Sequence, residues 1–399
     1  MAALRPDPAL AARICELPYD VMSSSEARAI AAGNPNSFLH VSKPEIDLEP
    51  GINLYDPRVY AQGQTALARL RESGALRQDG QESFYLYRQI MGRHHQLGLV
   101  CVTSCEEYLS NRIRRHELTR PEKEDDRVRH IDVLNAQTGP AFLIYPADAE
   151  LDELFAAATS QRADVDFTAA DGVRHTSWRL AGPADGRIIE ERFRRVPALY
   201  IADGHHRSAA AARVYRQRQG RDRSGLFLSV LFPDNQVQIL PYHRVLRDLN
   251  GLTEQRLLEQ LAGVFDIGAA ESATPSQTHE INLYLAGKWL RLRFRADLTQ
   301  AKDPVDRLDV GLLQERVLAP LFGVDDPRTS ERINFVGGIR GTKELERLVD
   351  TGEYACAFAM FPTGVGELLA VAEAGGLMPP KSTWFEPKLR DGMFSHLLE

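Results

Sequence analysis

The chain has 399 residues, of which 43% are hydrophobic, 8% aromatic and 26% charged. These fractions are typical of soluble globular proteins and exclude disordered, collagen-like and disulfide-scaffold classes. The formal net charge of −7 argues against a broad nucleic-acid-binding surface, so no nucleic-acid partner is expected. A chain of this length is expected to form two or three domains.

In the first half of the chain, helical and strand patterns alternate. Helices are predicted at residues 24–32, 57–73 and 151–159, and strands at 38–41, 84–89, 97–103 and 141–145. The strands at 84–89 and 97–103 are expected to pair as a hairpin. A very polar stretch, residues 111–129, precedes the strand at 141–145.

The second half continues the mixture. Strands are predicted within 164–180 and at 198–202, 226–232, 237–240, 284–294 (a hairpin) and 355–360, and helices at 208–219, 252–265, 309–322 and 342–350. The expected fold class is therefore α/β, in a mixed α+β arrangement. We place boundaries near residues 190 and 270, which divides the chain into an N-terminal α/β domain (1–190), a central phosphate-binding core (191–270) and a C-terminal α/β domain (271–399).

Cellular location is indicated by what the sequence lacks. No stretch has the composition of a secretion signal or reaches the roughly 18 uninterrupted apolar residues of a membrane-spanning helix. Of the four cysteines, Cys15, Cys101, Cys105 and Cys356, only the second and third are close in sequence, and free buried thiols are the expected state of all four. We therefore expect a cytoplasmic protein without a membrane partner.

The most informative segment is a sharp turn between the strand at 198–202 and the helix that follows. Its residues are Asp203, Gly204, His205, His206, Arg207 and Ser208. Backbone N–H groups at a helix start are unpaired and lie at the positive end of the helix dipole, so anions bind there. Glycine permits close approach of a ligand, the imidazoles and the guanidinium add donors for phosphate oxygens, and Asp203 could cap the helix or hold Mg²⁺.

This turn and seven further blocks resemble a large bacterial and archaeal family known only as a domain of unknown function. The blocks are PYDVMSSSEA, NPNSFLHVSKPEIDL, YLYRQ, RRHELTRPEKEDDR, NAQTGP, ADGHHRSAAAARV, RINFVGGIRGTKELERLVDTGEYA and MPPKSTWFEPKLRDG. The turn also resembles the phosphate-binding element of free serine kinases in the ParB/sulfiredoxin superfamily. The resemblance implies a ParB/sulfiredoxin-like nucleotide-binding core, ATP or ADP with Mg²⁺, and phosphorylation of free L-serine to O-phospho-L-serine. Sulfiredoxins have a cysteine where this chain has His205, which disfavours sulfinic acid reduction.

Two carboxylates follow the predicted strand at 38–41. Glu45 and Asp47 lie next to Lys43, and a kinase that acts on a hydroxyl needs a carboxylate within hydrogen-bond reach of that hydroxyl. The serine kinases use a glutamate from their N-terminal part, so the resemblance favours Glu45 as the base, with Asp47 as a second candidate. The alternative is an exposed acidic loop.

The charged stretch at 114–127 supplies further candidates. Arg120 and Lys123 could reach phosphates, and Glu117 or Glu124 could bind a metal; a solvated helical face is the alternative. A late histidine helps the serine kinases hold the amino acid. We carry this role to His243, which is expected to return to the same sheet edge as the D-G-H-H-R turn, with a histidine at the edge of the core as the alternative.

Two other functions remain open at this point. The first is a nucleotide-binding regulatory switch with slow or no hydrolysis. The second is a metal-dependent hydrolase built on His205 and His206, although adjacent histidines at a helix start point in different directions and no HExxH motif is present.

Lysine is rare in this arginine-rich chain, with only seven among the 48 basic residues. Five of the seven, Lys43, Lys123, Lys343, Lys381 and Lys388, lie within the blocks that carry the resemblance. A compact, flexible ammonium has uses that the planar guanidinium lacks. The distribution therefore nominates Lys43 and Lys123 as the first lysines to substitute.

Overall fold

A computed structural model describes residues 1–399. It divides the chain into two compact units: Met1–Val237 with Pro387–Glu399, and Gln238–Glu386. The division differs from the three expected segments, because residue 190 lies inside a helix, Pro183–Arg195, and the strands on both sides of residue 270 belong to one sheet. The class, several sheets mixed with helices, agrees with the expected α/β class.

The first unit begins with five helices and four strands. In chain order these are β1 (Leu4–Pro6), α1 (Ala11–Ile14), α2 (Ser24–Ala31), α3 (Leu39–Ser42), α4 (Pro57–Glu72), β2 (Leu76–Gln78), β3 (Phe84–Met91), β4 (His94–Ser104) and α5 (Cys105–Leu109). Ser23 caps α2 through a capping box with Glu26, as the Ser-x-x-Glu spacing favours. The strand predicted at 38–41 is wrong: these residues form α3, which packs against α4, because a short apolar run does not distinguish a strand from a buried helix.

The unit continues with the elements that surround the D-G-H-H-R turn. They are β5 (Ile113–Arg114), α6 (Pro121–Leu134), β6 (Ala136–Gln137), β7 (Ala141–Tyr145), α7 (Ala149–Thr159), β8 (Val165–Thr168), β9 (Arg174–Leu180), α8 (Pro183–Arg195), β10 (Leu199–Asp203), α9 (His205–Arg218) and β11 (Leu226–Pro233). Helix α9 begins at His205, three residues before the predicted start, so the histidines and Arg207 form its first turn. The run of alanines from Ala209 to Ala212 favours the helix.

The main sheet of the first unit has eight strands in the order β5-β10-β7-β11-β4-β3-β9-β8. Strand β10 is parallel to β5 and antiparallel to β7. Its apolar residues are buried in a core with Leu143, Phe227 and Leu231, while Val128 and Ile131 of α6 pack against Ala210 and Val214 of α9. This packing places the start of α9 beside the segment that joins β5 to α6.

The second unit is built around a separate six-stranded antiparallel sheet, in the order β14-β16-β15-β18-β13-β17. Its elements are β12 (Gln238–Leu240), β13 (Tyr242–Leu246), α10 (Glu254–Leu261), β14 (Phe265–Ala269), β15 (Glu280–Leu285), β16 (Lys288–Phe294), α11 (Asp309–Leu313), α12 (Ala319–Phe322), β17 (Ile333–Gly337), α13 (Thr342–Asp350), β18 (Cys356–Met360), α14 (Val365–Glu373) and β19 (Trp384–Glu386). Strands β12 and β19, at the two ends of this unit, pair with each other.

After β19 the chain returns to the first unit. Strand β20 (His396–Leu397) pairs with β6, Ser395 bonds to Leu4, and Asp391 bonds to Glu16 through backbone atoms. We call residues 387–399 the returning segment. The four cysteines are free and buried, as expected, and no helix is long and apolar enough to cross a membrane.

Candidate functional site

The D-G-H-H-R turn is held in a conformation that only glycine adopts easily. Gly204 is the N-cap of α9 with φ +91° and ψ +29°, and no side chain caps the helix. A Cβ at this position would lie 3.2 Å from the Cα of Ala141 and 3.2 Å from Cζ of Arg207. The positive φ and the close approach of β7 both require glycine, and the first N–H groups of α9 lack intrahelical partners.

Asp203 is the acidic centre of the turn. Its Oδ2 lies 3.3 Å from Nη2 of Arg207 and 3.6 Å from Nζ of Lys388. Burial on its own would raise the pKa of Asp203, but the charges of Lys388 and Arg207 outweigh burial and lower it. The carboxylate is therefore ionised and already balanced by two cations, one of which comes from the returning segment.

Arg207 and Ser208 point into the protein. The Arg207 side chain donates to the carbonyl of Pro140 and is buried beside Asp391. Burial tends to lower the pKa of Arg207, and Asp203, Asp20 and Asp391 reverse this and raise it. The hydroxyl of Ser208 donates to the carbonyl of Gly204 at 3.1 Å. In this structure both side chains support the turn from behind rather than facing solvent.

The two histidines of the turn have different partners. Nε2 of His206 accepts a hydrogen bond from the backbone N–H of Arg120 at 3.1 Å. Nδ1 of His205 faces Oε2 of Glu117 at 3.8 Å, and its ring meets the ring of His116 edge to face, with 4.5 Å between centroids. The segment between β5 and α6 thus reaches the turn.

The remaining residues of that stretch are divided between the turn and the helix surface. The charges of Arg120 and Lys123 contribute, after burial, to lowering the pKa of His206. The carboxylate of Glu124 accepts from the hydroxyl of Thr119 and pairs with Nη1 of Arg213 at 3.3 Å.

The expected magnesium ligands, Asp203, Glu117 and Glu124, do not fit that ion together. Hard divalent cations need several oxygen ligands converging on one point, whereas Asp203 and Glu124 are engaged with arginine or lysine. The side chains that do cluster are those of His116, Glu117 and His205, whose ligand atoms lie within 4.8 Å of one another. His116 was not selected from the sequence because a single histidine in a charge run gives no signal.

Glu45 and Lys43 form a buried pair near the turn. Nζ of Lys43 lies 3.1 Å from Oε1 of Glu45 and 3.5 Å from the carbonyl of Tyr19. The same Oε1 accepts from the hydroxyl of Ser24 at 2.6 Å. Glu45 is therefore in a short 3₁₀ segment, Pro44–Asp47, and not in an exposed loop. Tyr19, whose carbonyl lies near Lys43, and Arg207 of the turn line the same small cavity.

Asp47 and His243 are in other surroundings. Asp47 pairs with Nδ1 of His40 at 2.8 Å and accepts from Gln62 at 3.1 Å. His243 lies in β13, in the sheet of the second unit, so the expectation that it returns to the sheet edge of the turn is wrong. The chain leaves the first sheet after β11 and starts a new one. Nδ1 of His243 accepts from the N–H of Met360 at 3.1 Å, and burial lowers the pKa of His243 to about 4.

Behind the turn lies a small cavity of about 30 Å³, lined by residues that include Tyr19, Arg127, Gly139, Arg207 and Asp391. This volume holds about one water molecule, far less than a nucleotide requires. Burial raises the pKa of Asp391 to about 7, against the opposing effect of Arg207. Neither Asp391 nor Lys388 was selected as a site residue from the sequence, because nothing local shows that the returning segment reaches this turn.

Comparison with known proteins gives a family and a set of distant structures. No curated protein matches the chain. Among solved structures, a conserved hypothetical protein from Pyrococcus furiosus is 13% identical, with a TM-score of 0.36, over 73% of this chain and 93% of that one. SbnI with a C-terminal truncation from Staphylococcus aureus is 12% identical, with a TM-score of 0.40, over 73% and 85%. A free serine kinase in complex with AMP is 12% identical, with a TM-score of 0.36, over 72% and 86%.

A family model described as "Protein of unknown function (DUF1015)" matches residues 1–311. The match covers most of the chain, including the D-G-H-H-R turn and the segment between β5 and α6. The chain belongs to this family.

Proposed function

We propose that the chain is a small-molecule kinase that transfers a phosphoryl group from ATP or ADP to the hydroxyl of free L-serine. The observation that carries the proposal is the start of α9, where Gly204 caps a 14-residue helix without any side-chain cap. The likeness of the D-G-H-H-R sequence to the phosphate-binding element of free serine kinases supports the same reading of this helix start.

In the proposed complex the nucleotide phosphates lie against the first turn of α9. The N–H groups of that turn and the helix dipole favour an anion. His206 and Arg120 lie beside the turn, and Lys388 supplies a flexible ammonium. Because the cavity behind the turn is too small for a nucleotide, the nucleotide binds on the solvent side of β10 and α9. These two elements form the proposed ParB/sulfiredoxin-like core.

Glu45 is the proposed base for the acceptor hydroxyl. Lys43 and Ser24 both contact Oε1 of its carboxylate. Oε2 is therefore the atom assigned to the hydroxyl of L-serine, and Lys43 neutralises charge near the transferred group. The 2.6 Å bond from Ser24 illustrates the geometry in which a serine hydroxyl donates to this carboxylate. No step of the proposed reaction uses a metal ion held by Asp203 or Glu124.

The experiment that tests the proposal is a direct product assay. The purified full chain is incubated with Mg²⁺ and L-serine, with ATP in one series and ADP in another, and O-phospho-L-serine is measured by mass spectrometry. We expect product with at least one nucleotide and none with D-serine, because the base must meet the hydroxyl of one enantiomer. Binding of nucleotide without any product would contradict the kinase and favour the regulatory switch.

A pair of histidine variants tests where the nucleotide binds. His206→Ala removes a polar side chain from the first turn of α9, and we expect ADP affinity to fall about tenfold, the loss of about one charge-assisted hydrogen bond. His95→Ala removes an exposed histidine from β4 and should leave ADP affinity unchanged. Equal affinities for ADP in the two variants would place the nucleotide elsewhere.

A further inference from the structure

Two buried histidines, one in the turn and one beside it, have ring nitrogens without a hydrogen-bond partner. His116 is 2% exposed and His205 is 5% exposed. Neither ring nitrogen of His116 makes a well-formed hydrogen bond, and Nε2 of His205 has no partner. A buried polar atom without a hydrogen bond destabilises the folded state, so two such rings in contact require an explanation.

The backbone topology brings these residues together. Strands β5 and β10 are parallel, with Leu199 beside Ile113 and Tyr200 beside Arg114. Parallel strands end at the same edge of a sheet, so His116 and Glu117, just after β5, lie next to His205, just after β10. The result is two imidazoles and one carboxylate converging from two independent segments.

The ligand atoms are close enough that a small movement would let them coordinate one ion. They lie within 4.8 Å of one another, and Nδ1 of His205 is 3.8 Å from Oε2 of Glu117. Bonds of about 2.0–2.2 Å to a tetrahedral ion require the ligand atoms to approach by about 1 Å. The side chain of Glu117 is 51% exposed and can make this movement, whereas the two buried rings are held by packing.

The donor set selects the class of ion. Imidazole nitrogen suits zinc, iron, cobalt and nickel, whereas magnesium and calcium prefer oxygen ligands. Both ring nitrogens of His116 are buried without a hydrogen-bond partner, so this ring has a nitrogen to offer to an ion. Two histidines, one glutamate and a fourth open position form a common arrangement for catalytic zinc.

We propose that His116, Glu117 and His205 bind one divalent transition-metal ion of the zinc class, with a coordination position left open toward the start of α9. The site differs from the expected magnesium site in its ligands and from a site on the adjacent pair His205 and His206, because His206 turns to Arg120. It does not depend on the proposed kinase activity, since the ion binds to the protein without nucleotide.

The test measures metal binding alone. Protein stripped with a chelator and then dialysed is titrated with Co²⁺, followed by its visible absorption, and with Zn²⁺ by calorimetry, both without nucleotide. We expect about one ion per chain and no displacement by a large excess of Mg²⁺. Absence of any binding, or displacement of the ion by Mg²⁺, would overturn the proposal.

Three variants locate the site. Glu117→Gln changes an exposed side chain, and His116→Ala removes a buried ligand; both should weaken Zn²⁺ binding at least about tenfold. His95→Ala tests adventitious binding at the adjacent pair His94 and His95 and should have no effect. If His116→Ala fails to fold by circular dichroism, Glu117→Gln decides alone. Wild-type affinity in Glu117→Gln, or loss of binding in His95→Ala, would contradict the site. Phosphoserine production does not enter either result, so failure of the kinase and failure of the metal site are distinguishable.

Discussion

Nζ of Lys388 lies 3.6 Å from Oδ2 of Asp203, although the whole second unit separates these two residues along the chain. The lysine comes from the returning segment, and the aspartate ends β10, immediately before the glycine that begins α9. The contact makes a residue distant in sequence part of the proposed phosphate site.

Substitution of Lys388 is therefore expected to reduce activity. Lys388→Ala removes a cation from the start of α9 and leaves Asp203 with Arg207 alone, so we expect kcat/KM for phosphoserine formation to fall about 100-fold, about 2.7 kcal/mol of transition-state stabilisation. Lys388→Arg should restore part of the activity, because it keeps the charge but not the compact shape. The control is Lys288→Ala, in the exposed hairpin turn of the second unit, which should match the wild type. Full activity in Lys388→Ala would show that the contact is structural.

Gly204→Ala should reduce the free energy of unfolding. A Cβ would be strained by the positive φ and would also meet Ala141 and Arg207 at 3.2 Å. Gly172→Ala is a matched control, because Gly172 has φ +81° with no atom within 4 Å of its would-be Cβ. We expect Gly172→Ala to lower the free energy of unfolding by about 1 kcal/mol through the backbone alone, and Gly204→Ala by about 2–4 kcal/mol. Urea unfolding measures both. If both variants lost the same free energy of unfolding, the close approach of β7 to Gly204 would not contribute to the destabilisation.

Glu45→Gln should separate binding from transfer. The amide keeps the size of the side chain but cannot accept the proton of the L-serine hydroxyl, so we expect kcat to fall about 10²–10⁴-fold while ADP affinity stays within about twofold. The matched control is Glu49→Gln, which changes an exposed carboxylate paired with Arg58 and should leave kcat unchanged. A Glu45→Gln enzyme with wild-type kcat would assign the base to another residue.

The pH dependence of stability should reveal Asp391. Its folded-state pKa of about 7 lies above the ordinary value of 3.8, so between these pH values the folded protein holds a proton that the unfolded chain has lost. This carboxyl group therefore contributes stability at low pH that is lost as the pH rises toward 7.

Asp391→Asn removes that contribution. Relative to the wild type, the variant should lose less stability between pH 5 and pH 8, by about 1.4 kcal/mol for each unit of the pKa difference that lies in this range. The buried histidines, whose pKa values are lowered, change the stability with pH in the opposite direction. Their contribution is the same in both proteins and cancels when the two are compared at each pH. Glu153→Gln, an exposed carboxyl on α7, should show the wild-type profile. An Asp391→Asn profile parallel to the wild type would mean that Asp391 is ionised throughout this range.

Local patterns were sufficient for most elements and for one part of the candidate site. Alternating aromatics predicted β3, a short apolar run predicted β10, and the alanine run from Ala209 to Ala212 located the start of α9 within three residues. The apolar residues of α3 were misread as a strand because four residues do not establish a period. Helices α1, α5, α6, α8 and α14 were not predicted.

The rest of the candidate site depends on pairings that leave no local trace. His116 lies beside His205 because β5 and β10 are parallel neighbours, and Lys388 reaches Asp203 because the returning segment joins the first unit. His243 was misplaced for the same reason, since nothing in its own sequence shows that a new sheet begins at β13. The scarcity of lysine did single out Lys388 as one of five residues in the resembling blocks, but it favoured Lys43 and Lys123.

The second unit is inserted between two parts of the first, and its own ends pair through β12 and β19. On the ribosome, β10 and α9 emerge well before Lys388 and Asp391. Until the whole inserted unit and the returning segment have been synthesised, Asp203 therefore lacks its contact with Lys388, and Arg207 lacks Asp391 beside it. A nascent chain that has made every residue up to the end of β19 still lacks Lys388 and Asp391, so the contacts of these residues with the turn form only after the returning segment has been made.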